Sequence, residues 1–218
     1  MFIEFLNGIV GTPFSSSTNG TGAVVASYAG TETTGKTGVL RMSTGTTTTG
    51  RAGIGTNLGC MNPNGMITTV HTCIYIPALS TAAQEYSIIA GFFDAISQIN
   101  QTNGAYFTYD RANSIYWRMN TAKASSITTT DTGVEVATGW TLLRVELDGV
   151  NTEARFYIND TIAGTVTTNI PTEATETFGF GEGIIKSAGT TNTHMLSDFV
   201  SFSFEQPVPV LPPPTGGE

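Results

Sequence analysis

Leu143, Val145 and Leu147 alternate with Arg144, Glu146 and Asp148, and beyond a Gly149/Asn151 turn Ala154, Phe156 and Ile158 alternate with Glu153, Arg155 and Tyr157. A two-residue period places one set of side chains on each face of a strand, so this stretch predicts a half-buried antiparallel hairpin. The second strand runs into Asn159-Asp160, a turn dipeptide, from which Ile162 and Val166 lead into a third strand. Covering such an apolar face stabilises the fold by roughly 1.5–3 kcal/mol per large side chain as an upper figure, and a second sheet is the natural cover. The meander therefore predicts a two-sheet antiparallel β-sandwich.

The same reading extends along the chain. Residues 2–6 form an opening strand, followed by a Gly/Ser/Thr loop to about Gly22. Residues 23–28, and two short strands around the Thr44–Gly50 loop, come next. Met66–Ile76 has partly apolar faces on both sides, as a central strand requires, and Pro77 ends it. Tyr86–Phe93 is the most apolar segment. After the 94–104 loop come strands at 105–109, 115–119 and 126–130, an Asp131-Thr-Gly turn, and residues 134–136 leading to Trp140. Strands at 177–185 and 195–204 close the domain, and the last is expected to lie beside Phe2–Leu6. Residues 206–218 carry Pro at nearly every second position at first, which favours extended polyproline II, so the chain divides into one domain, 1–205, and a Pro-rich tail or linker, 206–218.

Composition narrows the function classes. Charged residues are 12% of the chain and the formal net charge is −8, which argues against nucleic-acid and anionic-membrane partners, since those need clustered Lys and Arg. The N-terminus has no basic stretch before its short apolar run, and no segment approaches the ~20 apolar residues of a membrane span. Cys60 and Cys73 read as two free thiols rather than a pair, and His71 beside Cys73 lacks the further ligands of a zinc site.

Candidate chemistry is sparse. Glu146-Leu-Asp148 begins the Glu-x-Asp-x-x-Glu spacing of glycosidases of sandwich folds, but Asn151 stands at the third acidic position, and Glu146 faces Arg155 across the hairpin. No catalytic residue is assigned. His71 and His194 sit in no recognisable triad. Asp94, Asn100, Asn103, Asp110 and Asp131 offer loop oxygens of the kind calcium takes, without the alternating acidic spacing of a dedicated loop, so no cofactor is assigned. The 106–118 hairpin holds Tyr, Trp, Asp and Arg, the types that stack on sugar rings and bond their hydroxyls. Phe107 and Trp117 read as core, whereas Tyr109 and Tyr116 suit either core or platform. The candidate carbohydrate site is Tyr109, Asp110, Arg111, Tyr116 and Arg118.

Two resemblances follow from these residues. The Trp140-to-Asp148 strand, its turn, and the Phe156-Tyr-Ile-Asn strand resemble the penultimate strands of concanavalin A-like and laminin G-like jelly rolls, which implies an all-β jelly-roll sandwich. A eukaryotic-style laminin G adhesion role is disfavoured by the missing secretory signal. The Gly38-to-Ala52 run, Tyr109-Asp-Arg with Tyr116-Trp-Arg, the run at 129–134, Thr168-Asn-Ile-Pro and the run at 183–191 resemble, in that order, modules of tailed-bacteriophage tail fibres, tail spikes and capsid decorations. This second resemblance implies a non-enzymatic virion protein made in the host cytoplasm and exposed on the particle. It would contact other virion proteins through its termini, be compatible with a homo-oligomer, and adhere to host surface glycans; a carbohydrate-binding lectin and a glycoside hydrolase of the same fold are the alternatives.

Overall fold

In the computed structural model the described residues are 2–4 (backbone only), 14–36, 38–56, 59 and 61–205. Cys60, residues 5 and 6 of the expected opening strand, and the 206–218 tail lie outside them. Among the described residues the chain forms fifteen strands: β1 Phe2–Glu4, β2 Phe14–Asn19, β3 Val24–Tyr28, β4 Val39–Ser43, β5 Arg51–Thr56, β6 Ile67–Ile76, β7 Tyr86–Phe93 and β8 Gly104–Asp110. They continue as β9 Tyr116–Lys123, β10 Ser126–Glu135, β11 Gly139–Asp148, β12 Glu153–Ile158, β13 Thr161–Val166, β14 Gly179–Lys186 and β15 His194–Glu205. A 3-10 turn at Thr31–Thr33 is the helical element among the described residues.

All strand pairs are antiparallel. One sheet runs β13-β12-β11-β6-β15-β4-β3 and the other β10-β9-β8-β7-β14-β5-β2. Strand β15 holds the first together: β4 pairs with its residues 194–197, and β1 with residues 199–201, on either side of a register shift. The expected pairing of first and last strands is observed as Phe2 opposite Ser201 and Glu4 opposite Phe199. The chain is an all-β jelly-roll sandwich of two antiparallel sheets.

The central hairpin has the anticipated register, Leu143 opposite Ile158, Val145 opposite Phe156 and Glu146 opposite Arg155. Its turn into β13 places Asn159 and Asp160 at φ 49° and 63°, the left-handed pair of a tight hairpin whose twist matches the strands. Leu143, Val145 and Phe156 are buried against the second sheet. Phe156 meets Phe107 of β8 edge to face, 5.2 Å between centroids, so the two hairpins that the sequence singles out touch across the core.

Two expectations need correction. Residues 14–19 are not loop but the edge strand β2, paired with β5. Phe14 alone of its side chains is buried, edge-on to Phe180 at 5.4 Å, and a Ser/Thr strand with one anchor shows no apolar period. Asp131-Thr-Gly is not a turn between strands but an irregularity within β10, where the register to β9 shifts between Asp131 and Glu135 and Gly133 takes φ 74°. The Thr44–Gly50 loop is exposed only at its centre. Its ends are buried, and the Lys186 ammonium donates to the carbonyls of Gly45 (2.6 Å) and Thr191 (2.7 Å).

Candidate functional site

Strands β8 and β9 carry the aromatic hairpin, and alternation decides which of its side chains can meet a ligand. Tyr109 faces inward. It is 1% exposed and packs edge-on to Tyr86 at 5.9 Å and against Trp117 at 6.2 Å. It therefore leaves the candidate carbohydrate platform: Phe107, Tyr109 and Trp117 form one inward aromatic row, as the two-residue period demands once Phe107 is in the core. Asp110, Tyr116 and Arg118 are partly exposed and lie on the opposite, outer face, while Arg111 is exposed in the turn that follows. The turn is closed by Asp110, whose carbonyl accepts from the N–H groups of Asn113 (3.0 Å) and Ser114 (2.9 Å) and whose carboxylate accepts from Asn113 Nδ2 (2.5 Å). Arg118 is paired with Asp131 across to β10 at 3.3 Å. The structure thus brings Asp110, Tyr116 and Arg118 to one face, seats Arg111 at its end, and withdraws Tyr109.

Part of that outer face is already covered. Ile89, Phe93, Tyr106 and Ala122 form a second apolar cluster there with Ile96, a residue of the 94–103 loop. The floor beside it is made of glycines: a Cβ on Gly53 would come 2.5 Å from Ile96 Cγ2, one on Gly55 3.1 Å from Cδ1, and one on Gly183 3.2 Å from Cγ2. The loop is tied down from within. Gln101 accepts from the N–H groups of Asp94 (3.1 Å) and Ala95 (2.7 Å) and donates to the carbonyls of Ala95 (2.8 Å) and Gln98 (2.6 Å). The Asp94 carboxylate accepts from the N–H groups of Thr102 and Asn103, each at 3.2 Å. Asp94, Asp110 and Asp131, whose oxygens are of the kind calcium takes, are therefore engaged with protein donors, as is the Asn103 side chain, which accepts from Ala124 N–H at 3.0 Å. Among the described residues no cluster of three or more His, Cys, Asp and Glu is disposed to hold a metal.

The carboxylates of the central hairpin are likewise committed. Arg155 bonds Glu146 and Glu153 and lies 3.4 Å from Asp148. Burial works to raise the Asp148 pKa, but bonds from the N–H groups of Val150 and Asn151 (2.9 Å each) and from Asn151 Nδ2 (2.8 Å) prevail and hold it low. Asn151, which breaks the glycosidase spacing, is thus the residue that locks Asp148 into its turn.

Two arrangements had no signal in the sequence. On the outer face of the first sheet Trp140 stands 5.3 Å from Tyr75, with the Lys36 ammonium 4.6 Å above its ring. Lys36 also bonds Asp198 at 2.7 Å, a partner 162 positions away. Cys73 is a free thiol beneath them, pushed up to about 11 by burial, and burial lowers both His71 and His194. In the core, Glu182 of β14 stands opposite Ile54 and Ala90 with neither carboxylate oxygen well hydrogen-bonded among the described residues. Burial raises its pKa to about 8, and the neighbouring Ser197 hydroxyl offsets only part of this.

The sequence matches, over residues 35–198, the family model described as SO2946-like, C-terminal domain. No curated protein matches it. Among solved structures, the protein of unknown function SO2946 from Shewanella oneidensis MR-1 is similar with a TM-score of 0.61 and 14% identity, over 88% of this chain and 79% of that one. The carbohydrate recognition domain of Emp47p gives 0.60 and 10% over 92% and 93%. The endo-1,3-beta-glucanase from Streptomyces sioyaensis gives 0.63 and 14% over 95% and 96%. At such identities the likeness is one of fold: lectin-type domains and an enzyme share the scaffold, so the scaffold alone does not choose between them.

Proposed function

The chain belongs to the SO2946-like C-terminal domain family, and from that premise we propose that it is a non-enzymatic module displayed on the surface of a tailed-phage virion, as a decoration or fibre element of capsid or tail, that adheres to host surface glycans. The observation that carries the reading is the placement of the domain's ends. Strand β1 runs antiparallel to β15 with Phe2 opposite Ser201, so the first and last strands of the sandwich lie side by side. A module joined to a particle through the neighbouring ends of these two strands would be held at one place and present the rest of its surface. The ordered run of motifs resembling tail-fibre and tail-spike modules, from Gly38 to Thr191, supports the same setting. The engagement of Glu146 and Asp148 by Arg155 and Asn151 speaks for binding rather than hydrolysis.

The test is attachment. Tagged full-length protein is expected to co-sediment with purified particles of a phage that encodes it, and to lose that association when residues 206–218 are removed. Failure of the intact chain to sediment with any such particle overturns the virion assignment. The fold neighbours favour one further reading, a free carbohydrate-binding lectin, which predicts saturable retention on immobilised cell-surface polysaccharide without particle association. Turnover of a β-1,3-glucan that disappears in Glu146→Gln would replace both readings with an enzyme.

A further inference from the structure

Arg111 is the hinge of a cleft that the alternation pattern conceals, because its walls come from loops rather than strand faces. Its side chain lines a cavity of about 330 Å³ together with Ser80, Thr81, Ala82, Glu85 and Ala112. It also lines a smaller one of about 100 Å³, walled by Leu79, Ile115 and Val136 with Tyr109 and Glu135. Arg111 is common to both. Arg118 and Arg155 are paired with carboxylates, but Arg111 has no ion-pair partner among the described residues.

The polar groups of the larger lobe are fixed in place. Ser80 is buried, and its hydroxyl accepts from the N–H of Tyr86 at 3.0 Å. Thr81 accepts from Gln84 N–H at 3.2 Å. A hydroxyl used once as an acceptor keeps its own proton for donation. Glu85 accepts from Ser187 through one carboxylate oxygen at 2.6 Å, which leaves the other for a ligand. The buried Tyr109 forms part of the wall of the smaller cavity.

We propose that this cleft, and not the outer strand face, is the glycan site, and that it takes a neutral hexopyranose unit. The inference rests on the adhesive reading above and names the site within it. Arg111 lines both cavities, with Glu85 in the larger and Glu135 in the smaller, and a guanidinium with a carboxylate in reach matches vicinal hydroxyls, which donate to the carboxylate and accept from the guanidinium. A sugar carboxylate would gain Arg111 but face both glutamates on a chain of net charge −8. The small lobe offers Leu79 and Ile115 to the apolar face of the ring, and the larger has the volume for a single residue with its hydroxyls. The strand face offers less, since Ile96 covers its glycine floor and Arg118 is tied to Asp131.

Saturation-transfer difference NMR on the full chain, with the methyl glycosides of glucose, galactose, mannose, N-acetylglucosamine and glucuronic acid, tests this. At least one neutral glycoside is expected to receive saturation in preference to the glucuronide. Its affinity should fall about tenfold or more in Arg111→Ala and in Glu85→Gln, both partly or fully exposed positions whose loss leaves the core intact, and should change less than twofold in Tyr116→Ala. Binding lost in Tyr116→Ala but retained in Arg111→Ala overturns the cleft while leaving the adhesive reading standing. Preference for the glucuronide overturns the neutral-sugar assignment. Silence of all five glycosides, together with no retention on an array of bacterial surface polysaccharides, overturns the cleft and the adhesive reading together.

Discussion

Glu182 is a carboxyl placed where an apolar side chain would serve stability better, with the Ser197 hydroxyl beside it. Its pH linkage has a definite sign. The unfolded chain ionises this group near 4.5, the fold only near 8. Between those values the unfolded state has released a proton that the native state retains, so the contribution of Glu182 to stability is fully present below about 4.5, declines as pH rises, and is flat above about 8. Thermal melts are expected to show a lower Tm at pH 8 than at pH 5, with most of that difference removed in Glu182→Met. Parallel curves for the two proteins would refute it. The aromatic hairpin gives a second contrast. Tyr109→Ala should cost ~3–5 kcal/mol by denaturant unfolding, as a truncated core aromatic does. Arg118→Ala, which removes a partly exposed ion pair, should cost less than ~1 kcal/mol. Equal losses would place Tyr109 outside the core.

At the scale of elements, the 94–103 loop and the β5/β14 pair are complementary. Gly53 and Gly183 are directly paired across the strands, and the absence of two side chains makes room for one, Ile96. Adding a methyl group at Gly53 meets Ile96 at 2.5 Å and the Glu182 carbonyl at 2.8 Å, so both loop and strand must shift. Gly53→Ala is expected to destabilise by ~1–3 kcal/mol and to accelerate proteolytic cleavage between residues 94 and 103. Pairing it with Ile96→Ala should recover part of the loss, a coupling that a double-mutant cycle reads directly. Additive losses would show that the loop does not rest on this floor. Among the elements, the central hairpin was legible in the sequence to the residue, because each strand has one buried and one solvated face and its turns carry Asn and Asp. Strand β2 was not, because an edge strand of Ser and Thr with one buried Phe leaves no period to read.

For the whole molecule, the decisive element is β15, which borders β6 along one side and β4 and then β1 along the other. A chain ending at Thr193 would lose the middle strand of one sheet and the partner of β1. It is expected to show no cooperative thermal transition and no near-UV circular dichroism signal. A cooperative transition in that truncated chain would show that the remaining strands form a sandwich unaided. Refolding of the full chain should be slow for its size, in the range of seconds or longer, because pairs such as Phe2–Ser201 close long stretches of chain before they contribute.

The sequence by itself determined the fold class, most strands, the register of the central hairpin and the Glu146–Arg155 pairing, since these depend on two-residue alternation and on turn residues a few positions apart. It named Tyr109, Asp110, Arg111, Tyr116 and Arg118 together as one candidate site without separating the faces of the hairpin. Only the tertiary structure decided that Asp110, Tyr116 and Arg118 lie outward and that Tyr109 lies in. It likewise decided that Ile96 fills the glycine floor, that Glu182 is enclosed in the core beside Ser197, and that Arg111 shares a cleft with Glu85 and Ser80. Those outcomes rest on which sheet or loop covers a given face, and the covering residues lie far away in the chain, as Ile96 does from Gly53 and Gly183. Local periodicity records that a face will be covered, but it carries no record of what covers it.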